Sequence, residues 1–198
     1  MFTGIIEATG IVKALEKESS NLNIFIESDF TNELKIDQSV AHNGVCLTVV
    51  AIDNNVYKVT AIDETLQKTN IGNLMPSSVV NLERCMAANG RFDGHIVQGH
   101  VDQVASCINI IDLNGSWKYT FAYKSVHGNT TVEKGSICIN GVSLTVVDSN
   151  AGDFSVAIIP YTYEHTNFKS LKIGDHVNLE FDIIGKYVAK MLELRMPS

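Results

Sequence analysis

Short runs of apolar and β-branched residues recur along the chain. Seven of them stand out, at residues 39–52, 55–62, 78–86, 118–124, 136–148, 153–159 and 176–184. Turn-forming pairs such as Asn43-Gly44 and Asn140-Gly141 interrupt or separate these runs. Runs of this length and spacing, without long helices between them, are typical of closed β-barrels or β-sandwiches.

Two kinds of stretch show helical rather than strand character. Residues 64–74 and 161–171 each predict a short helix, with Thr65 near the start of the first one and Gly72 near its end. Residues 182–194 place five apolar side chains on one helical face, Ile184, Tyr187, Val188, Met191 and Leu192. This stripe either packs back on the β-structure or contacts another subunit.

The chain repeats itself once. Residues 41–50 and 138–147 are identical at seven of ten positions, at an offset of 97 residues. The pairs 64–74 with 161–171 and 80–83 with 177–180 share this offset, whereas residues 4–7 match residues 99–102 at an offset of 95. A period this long with two copies indicates a duplicated domain. We expect a first domain at 1–96, a second at 97–185, and a helix and tail at 186–198.

Composition and charge narrow the classes of function. The net charge is −7 and the isoelectric point is about 5.3, which disfavours nucleic acid or an anionic membrane as the main partner. No window of 18 uninterrupted apolar residues exists, and the N-terminal stretch lacks the basic region of a signal peptide. Cys46, Cys85, Cys107 and Cys138 form no CxxC pair, so we expect reduced thiols in the cytoplasm.

The two repeats differ where chemistry could occur. Cys46 aligns with Ser143, and His100 aligns with Ile5. A thiol and an imidazole that occur in only one copy are reactive groups near neutral pH, so the two copies are expected to have different roles. The simpler alternatives are that Cys46 is a small buried hydrophobe and that His100 is a surface histidine.

His95 and His100 invite a metal hypothesis, which the sequence disfavours. No further ligands follow at a recognisable spacing, and in a strand the two side chains would point to opposite faces. Asp102 would share a face with His100, which suits proton exchange better than metal binding. Glycines such as Gly4 and Gly99 would let the backbone approach a flat ligand, and paired threonines offer hydroxyls to a polyhydroxylated one.

Several longer motifs resemble one known family. MFTGIIE at the start, SVAHNGVCLTV, NLERCMAANGRFDGHIVQGHVD, GSICINGVSLTV and VNLEFDIIGKY are together similar to riboflavin synthases of the α-chain type. The resemblance implies an all-β fold of two homologous six-stranded Greek-key-type closed barrels in tandem, followed by a C-terminal helix that assembles a homotrimer. It also implies a transferase reaction without metal or organic cofactor, the last step of riboflavin biosynthesis. Two molecules of 6,7-dimethyl-8-ribityllumazine exchange a four-carbon unit and give riboflavin and 5-amino-6-ribitylamino-uracil.

The resemblance further implies substrate-binding residues in each repeat. In the first repeat they are Gly4, Ile5, Ile6, Ser39, Cys46, Leu47, Thr48, Asp63, Glu64 and Thr65. In the second they are Gly99, His100, Val101, Lys134, Ser143, Leu144, Thr145, Ile158, Ile159, Pro160, Tyr161 and Thr162. The two substrate molecules would lie face to face between the first barrel of one subunit and the second barrel of a neighbour.

Five residues are implied in catalysis, Phe2, Ser39, Cys46, His100 and Asp182. His100 and Ser39 are expected to handle protons or activate the substrate. Cys46 is expected against the pteridine ring, and Asp182 would orient a proton relay across the subunit interface. The chain departs from the family pattern at Asn140, where Asp is common, and this departure puts a proton-transfer role for a carboxylate there in doubt.

Three alternatives remain beside a synthase. A lumazine-binding antenna protein shares the duplicated architecture but performs no chemistry, and it typically lacks the intact GHIVQGHVD segment found here. A flavin-reductase-like barrel would need a second, nucleotide-binding α/β domain, for which the sequence shows no βαβ pattern. A duplicated barrel could also serve stability alone. Lumazine synthase is a candidate protein partner.

Overall fold

Two closed antiparallel barrels of six strands each make up most of the computed structural model, which describes residues 1–125 and 129–195. The first barrel contains β1 (Ala8–Glu18), β2 (Asn21–Glu27), β3 (Ser39–His42), β4 (Val45–Asp53), β5 (Val56–Ala61) and β6 (Val79–Arg84). The strands close in the order β1-β2-β5-β4-β3-β6. This confirms the all-β fold that the sequence predicted.

The second barrel repeats this topology. It contains β7 (Gln103–Asp112), β8 (Trp117–Ala122), β9 (Ser136–Ile139), β10 (Val142–Ser149), β11 (Asp153–Ile158) and β12 (His176–Phe181). The change of repeat offset from 95 to 97 falls between the second and third strands, where residues 28–38 correspond to the longer segment 123–135. A loop of different length therefore absorbs the two-residue difference.

The short helices are shorter than the sequence predicted. In the first repeat α1 (Asp63–Lys68) ends where Thr69 adopts an extended backbone, and a separate 3-10 turn covers Asn70–Asn73. The Thr69 side chain accepts a hydrogen bond from the Ile71 amide, which begins the new turn. The second repeat divides in the same way into α2 (Pro160–His165) and a turn at Asn167–Ser170. The single helices expected over 64–74 and 161–171 are therefore each two elements.

A longer helix, α3 (Ile183–Arg195), follows the second barrel. It starts three residues before the predicted boundary at 186, and residues 196–198 of the predicted tail lie outside the described part of the chain. The five apolar residues of its stripe are exposed, as expected for a face that no part of the described chain covers. None of the described helices has the length and apolar composition needed to cross a bilayer.

Each barrel buries its own core of inward-facing residues. The first core includes Ile24, Val49 and Leu82, and the second includes Phe121 and Ile137. Alternate residues along a strand point to opposite faces, so the predicted runs supply one apolar residue to the core at every second position.

The two cores differ in one buried polar pair. In the first barrel His42 Nε2 lies 2.8 Å from the Tyr57 hydroxyl, and both side chains are fully buried. At the repeat offset of 97 the second barrel has Ile139 and Phe154 at these places. Burial lowers the pKa of His42 to about 4, so this imidazole is neutral at neutral pH.

Asparagine side chains join the two barrels around a pseudo-twofold axis. Asn81 Nδ2 donates to the Asn140 carbonyl at 2.9 Å, and Asn178 Nδ2 donates to the Asn43 carbonyl at 2.9 Å. Asn140 Oδ1 accepts from the Asn178 amide, and Asn43 Oδ1 accepts from the Asn81 amide. Asn140 is thus an interface residue between the barrels, where its side-chain oxygen accepts from the Asn178 amide and from Asn70 Nδ2.

The two Asn-Gly turns meet in this interface. Gly44 and Gly141 have φ of +79° and +82°, and the preceding asparagines also have positive φ, as a tight hairpin turn requires. A Cβ atom on Gly44 would lie 2.8 Å from the Gly141 amide nitrogen. The repeated Asn-Gly pair therefore lets the two barrels approach at backbone distance.

Candidate active site

The segment before each barrel packs on the other barrel. Gly4, which precedes β1 of the first barrel, accepts a hydrogen bond from the Ser143 amide on β10 of the second barrel, at 2.8 Å. Ile6 packs against the core of the second barrel. Gly4 and Ile6 therefore contact the second barrel near Ser143, whereas Ile5 lines a cavity with Ser39 of the first barrel.

The second segment makes the reciprocal contact. Gly99 precedes β7 of the second barrel, and its carbonyl accepts from the Cys46 amide on β4 of the first barrel, at 2.9 Å. Val101 packs against the core of the first barrel. The resemblance grouped Gly4, Ile5 and Ile6 with Cys46, and Gly99, His100 and Val101 with Ser143. The backbone contacts instead join Gly4 to Ser143 and Gly99 to Cys46, while Ile5 lines a cavity together with Ser39.

Each segment has a glycine at the point where its backbone contacts the opposite barrel, and only glycine fits there. Gly4 and Gly99 have φ of +79° and +80°, in the left-handed region. A Cβ atom would lie 2.6 Å from Ser143 Cβ at Gly4 and 2.5 Å from Cys46 Cβ at Gly99. Because the backbone approaches so closely, residues 46 and 143 lie at equivalent points of contact between a strand and a segment from the other barrel.

A hydrogen-bonded pair, His95 and Ser143, forms part of the second site. His95 Nδ1 lies 2.7 Å from Ser143 Oγ, and His95 Nε2 has no hydrogen-bond partner within residues 1–125 and 129–195. Burial lowers the pKa of His95, although the negative charge of Asp182 opposes this shift. A neutral imidazole in contact with a hydroxyl can accept a proton from it.

Sequence reasoning considered His95 only as a metal ligand and did not assign it to catalysis. The two residues of the pair are 48 positions apart, and no repeat counterpart marks His95. The segment around it is also irregular, so the strand-based argument about opposite faces does not apply. The described residues contain no cluster of three or more His, Cys, Asp or Glu side chains that could hold a metal ion.

Cys46 has a different environment from Ser143. Burial raises the pKa of the Cys46 thiol, while a hydrogen bond with Ser39 and the charge of the N-terminus oppose the shift. The group is therefore a thiol rather than a thiolate at neutral pH, and its surroundings do not activate it as a nucleophile. Ser39 pairs with Thr48 across β3 and β4, so it lies on the same wall of the first barrel.

His100 is held in position by a hydrogen bond of its backbone, whereas its side chain makes no such contact within residues 1–125 and 129–195. The His100 amide donates to Glu180 at 2.9 Å, and the side chain is exposed. Phe2, by contrast, is fully buried. It forms an isolated antiparallel β-bridge with Val97, which lies in the segment before β7. The backbone bonds between Phe2 and Val97 tie segment 2–6 to segment 97–101.

Most remaining predicted residues lie at the ends of strands that adjoin these sites. Asp63, Glu64 and Thr65 form the first turn of α1, directly after β5, and Leu47 and Thr48 follow Cys46 on β4. Leu144 and Thr145 follow Ser143 on β10, and Ile158, Ile159, Pro160, Tyr161 and Thr162 end β11 and begin α2. Glu64 is engaged in an exposed ion pair with Lys68.

Two cavities lie at equivalent mouths of the barrels. The first, of about 640 Å³, is lined by Ile5 and Ser39 among others. The second, of about 210 Å³, is lined by Ser136, Asp182 and residues 184–186 at the start of α3. Lys134 is exposed in the loop before β9, with a positive φ of 65°. Asp182 accepts from the Ile184 amide and so begins α3 at this mouth.

The chain is similar over its whole length to curated proteins of one kind. A family model described as "Lumazine binding domain" matches residues 3–85 and again residues 98–182. The chain is 43% identical to the riboflavin synthase of Actinobacillus pleuropneumoniae, covering 100% of this chain and 92% of the relative. It is 39% identical to that of Bacillus subtilis (strain 168), covering 97% and 90%.

Two solved structures show the same architecture. A crystal structure of LumP complexed with riboflavin has a TM-score of 0.84 and 26% identity, covering 91% of this chain and 99% of that one. A second, of LumP complexed with 6,7-dimethyl-8-(1'-D-ribityl) lumazine, has a TM-score of 0.82 and 25% identity, covering 91% and 98%.

Proposed function

The chain belongs to the riboflavin synthase family, and we propose that it catalyses dismutation of 6,7-dimethyl-8-ribityllumazine through two crossed sites. One lumazine donates a four-carbon unit and the other accepts it. The products are riboflavin and 5-amino-6-ribitylamino-uracil. The reaction makes the chain a transferase.

The observation that carries this proposal is a pair of sites with the same construction and different chemistry. In one, a strand with Cys46 meets the segment at Gly99; in the other, a strand with Ser143 meets the segment at Gly4. Two sites with the same backbone arrangement are suited to bind two copies of one substrate. Different side chains suit different roles for these copies, because a donor and an acceptor need different proton transfers.

The His95–Ser143 pair could remove the acidic proton of the substrate. The methyl group on C7 of the lumazine is acidic because its anion is delocalised over the ring. A base must remove one of its protons, and the neutral His95 imidazole next to the Ser143 hydroxyl supplies such a group. In this proposal Ser39, His100 and Asp182 act in proton handling or activation, and Cys46 lies against the ring as a thiol.

Holding two substrates in register is the larger part of the task. Orientation alone can supply about 7–11 kcal/mol of barrier lowering when two reactants are held in a reactive geometry. The substrate-binding residues named above would provide this, with the ribityl hydroxyls against threonines such as Thr48 and Thr145 and against backbone groups.

The proposal includes a homotrimer in which the first barrel of one chain faces the second barrel of the next. Support comes from α3, whose apolar face is uncovered, with Tyr187 64% exposed and Met191 60% exposed. Contiguous exposed apolar residues of this size mark an interaction surface. We also propose domain limits at residues 96 and 185, a cytoplasmic location and contact with lumazine synthase.

A non-catalytic lumazine-binding protein is the second candidate. The similarity to the LumP structures favours it, since these are complexes with riboflavin and with the lumazine. The sequence identity to riboflavin synthases is higher, at 43% and 39%, and the His95–Ser143 pair is in place. These observations favour the synthase.

Turnover separates the two candidates. The purified chain is mixed with 6,7-dimethyl-8-ribityllumazine, and the flavin absorbance is followed over time. Formation of one riboflavin for every two lumazines consumed supports the synthase. Tight binding with unchanged lumazine would identify a binding protein instead.

A further inference from the structure

We propose that Glu180 and Glu83 are positioning residues, each of which holds the wall of the substrate site that lies in the opposite barrel. This inference rests on the proposed function for the assignment of the two sites. Neither residue was among the site residues implied by the sequence. Both are buried, at 2% and 5% exposure, and they occupy equivalent positions at an offset of 97.

Glu180 lies on β12 of the second barrel and binds the segment that lines the first site. Its Oε1 accepts from the Gln98 amide at 2.6 Å, and its Oε2 accepts from the Gly99 and His100 amides, both at 2.9 Å. The Gly99 carbonyl in turn accepts from the Cys46 amide. A carboxylate of the second barrel thus connects through one segment to the strand of the first site.

Glu83 makes the reciprocal arrangement from β6 of the first barrel. Its Oε1 accepts from the Thr3 amide at 2.7 Å and from the Thr3 hydroxyl at 3.1 Å, and its Oε2 accepts from the Gly4 amide at 3.0 Å. The Gly4 carbonyl accepts from the Ser143 amide. The same chain of contacts therefore runs from the first barrel to the second site.

A carboxylate is suited to this task because it only accepts hydrogen bonds. Three donors converge on each side chain, and an ionised carboxylate can satisfy all of them with its two oxygens. A glutamine in the same place would turn an N–H group toward a backbone N–H. The segments lie outside the β-ladders, so these bonds are what fixes successive amides of each segment.

The burial of these two charges is costly for the fold. Burial raises the pKa of both carboxyl groups, although the backbone amides oppose the shift. An apolar side chain in either place would avoid this cost but would leave three hydrogen-bond donors without an acceptor. A buried acceptor that orients a glycine segment at the point of substrate contact explains why a charge is kept there.

The direct test is amide hydrogen exchange, which requires no ligand. In the unaltered chain, residues 98–100 and 3–4 are expected to exchange slowly even though they lie outside the strands. Glu180→Gln should accelerate exchange at 98–100 and at the Cys46 amide, and leave 3–4 and Ser143 as before. Glu83→Gln should give the reciprocal pattern, so each variant is the control of the other.

Rapid exchange of these amides in the unaltered chain would overturn the proposal even if neither variant folds. Changes that stay within the barrel carrying the substitution would overturn it as well. The expected result is a crossed pattern, because each carboxylate binds the segment that serves the opposite site.

The second readout is ligand affinity at one site at a time. Thr145→Trp fills the second site and Thr48→Trp fills the first, so riboflavin titration of each chain reports on the remaining site. Glu180→Gln should weaken riboflavin binding about tenfold or more in the Thr145→Trp chain and not in the Thr48→Trp chain, since hydrogen bonds to a charged group contribute free energies that correspond to factors of this size. Glu83→Gln should do the opposite.

Hydrogen exchange and riboflavin affinity test the positioning role, whereas turnover tests the proposed function, so the two can fail independently. A chain that shows the crossed affinities but no turnover of lumazine would refute the synthase and retain the positioning role. Normal turnover with unchanged exchange and affinity in both variants would refute the positioning role alone.

Discussion

Cys46 and Ser143 occupy equivalent places in the two barrels, but their neighbours give them different chemistry. The pKa of Cys46 is raised by burial, so the group stays a protonated thiol. Ser143 contacts a buried imidazole, His95, whose pKa is lowered and which is therefore neutral. The second site is thus equipped to accept a proton, and the first is not equipped in the same way.

Replacing Ser143 or His95 by alanine is expected to lower kcat by about 10²–10⁴-fold, the usual contribution of acid–base catalysis. Riboflavin binding should change little, because the walls of the site remain. His176→Ala is the control, since His176 is an exposed histidine that contacts Ser106 away from both crossing segments. Unchanged kcat in both site variants would contradict the assigned role.

The sequence indicated the Cys46/Ser143 difference but not the His95 contact. The repeat alignment compares equivalent positions, and His95 has no equivalent. A side chain that reaches its partner only after both barrels have closed leaves no periodic signal in the chain.

The buried His42–Tyr57 pair makes the first barrel sensitive to acid. The pKa of His42 is about 4 in the folded chain and about 6.5 when it is exposed, so between these values the unfolded chain binds a proton that the folded chain does not. Stability is therefore lost as the pH falls through this window, by about 2 kcal/mol between pH 7 and pH 5. Urea unfolding at the two pH values measures this loss.

The matched variant carries the residues of the second barrel, His42→Ile with Tyr57→Phe. It removes the titrating group and keeps an apolar pair that the chain already uses at Ile139 and Phe154. The dependence of its unfolding free energy on pH should be smaller by the same amount. An unaltered dependence would show that His42 is not the group responsible.

At the scale of elements, the pattern of apolar runs predicted most strands but not all of them. The runs account for β3 to β6 and β8 to β12, whereas β1, β2 and β7 were not singled out. β1 contains a β-bulge between Val12 and Ala14, and β7 contains one between Cys107 and Asn109. A bulge shifts the alternation of inward and outward residues. Register shifts also occur in β4, between Val49 and Ala51, and in β10, between Val146 and Ser149, but the continuous apolar runs of these strands identified them nevertheless.

The α3 stripe was predicted as an apolar face, and the structure leaves it exposed. If it assembles the trimer, Met191→Glu should place a charge in the interface and give monomers in sedimentation experiments. Turnover should fall with assembly, because each reaction would need barrels of two chains. Lys190→Ala is the control, because its ion pair with Glu193 is exposed. A trimer that persists in the Met191 variant would exclude this surface.

At the scale of the whole molecule, the duplication could be predicted, but the crossing of the segments could not. In sequence, 4–6 is continuous with the first barrel and 99–101 with the second, so a repeat alignment assigns each to its own barrel. The asparagine contacts bring the barrels together at backbone distance, and only then can Gly4 reach Ser143 and Gly99 reach Cys46. Such long-range contacts depend on docking, which has no local signature.

The central claim is that one reaction uses two different sites of two neighbouring chains. Thr48 and Thr145 are exposed and equivalent, so a Trp at either place fills one site with little strain on the barrel. Each variant alone should be inactive.

The measurement is riboflavin formation by mixed trimers, made by co-expressing the Thr48→Trp and Thr145→Trp chains with different tags. Random assembly in a closed ring pairs an open first site with an open second site in about a quarter of positions, so about a quarter of the unaltered activity should return. Mixed trimers that bind riboflavin at their open sites yet form none from lumazine would contradict the account.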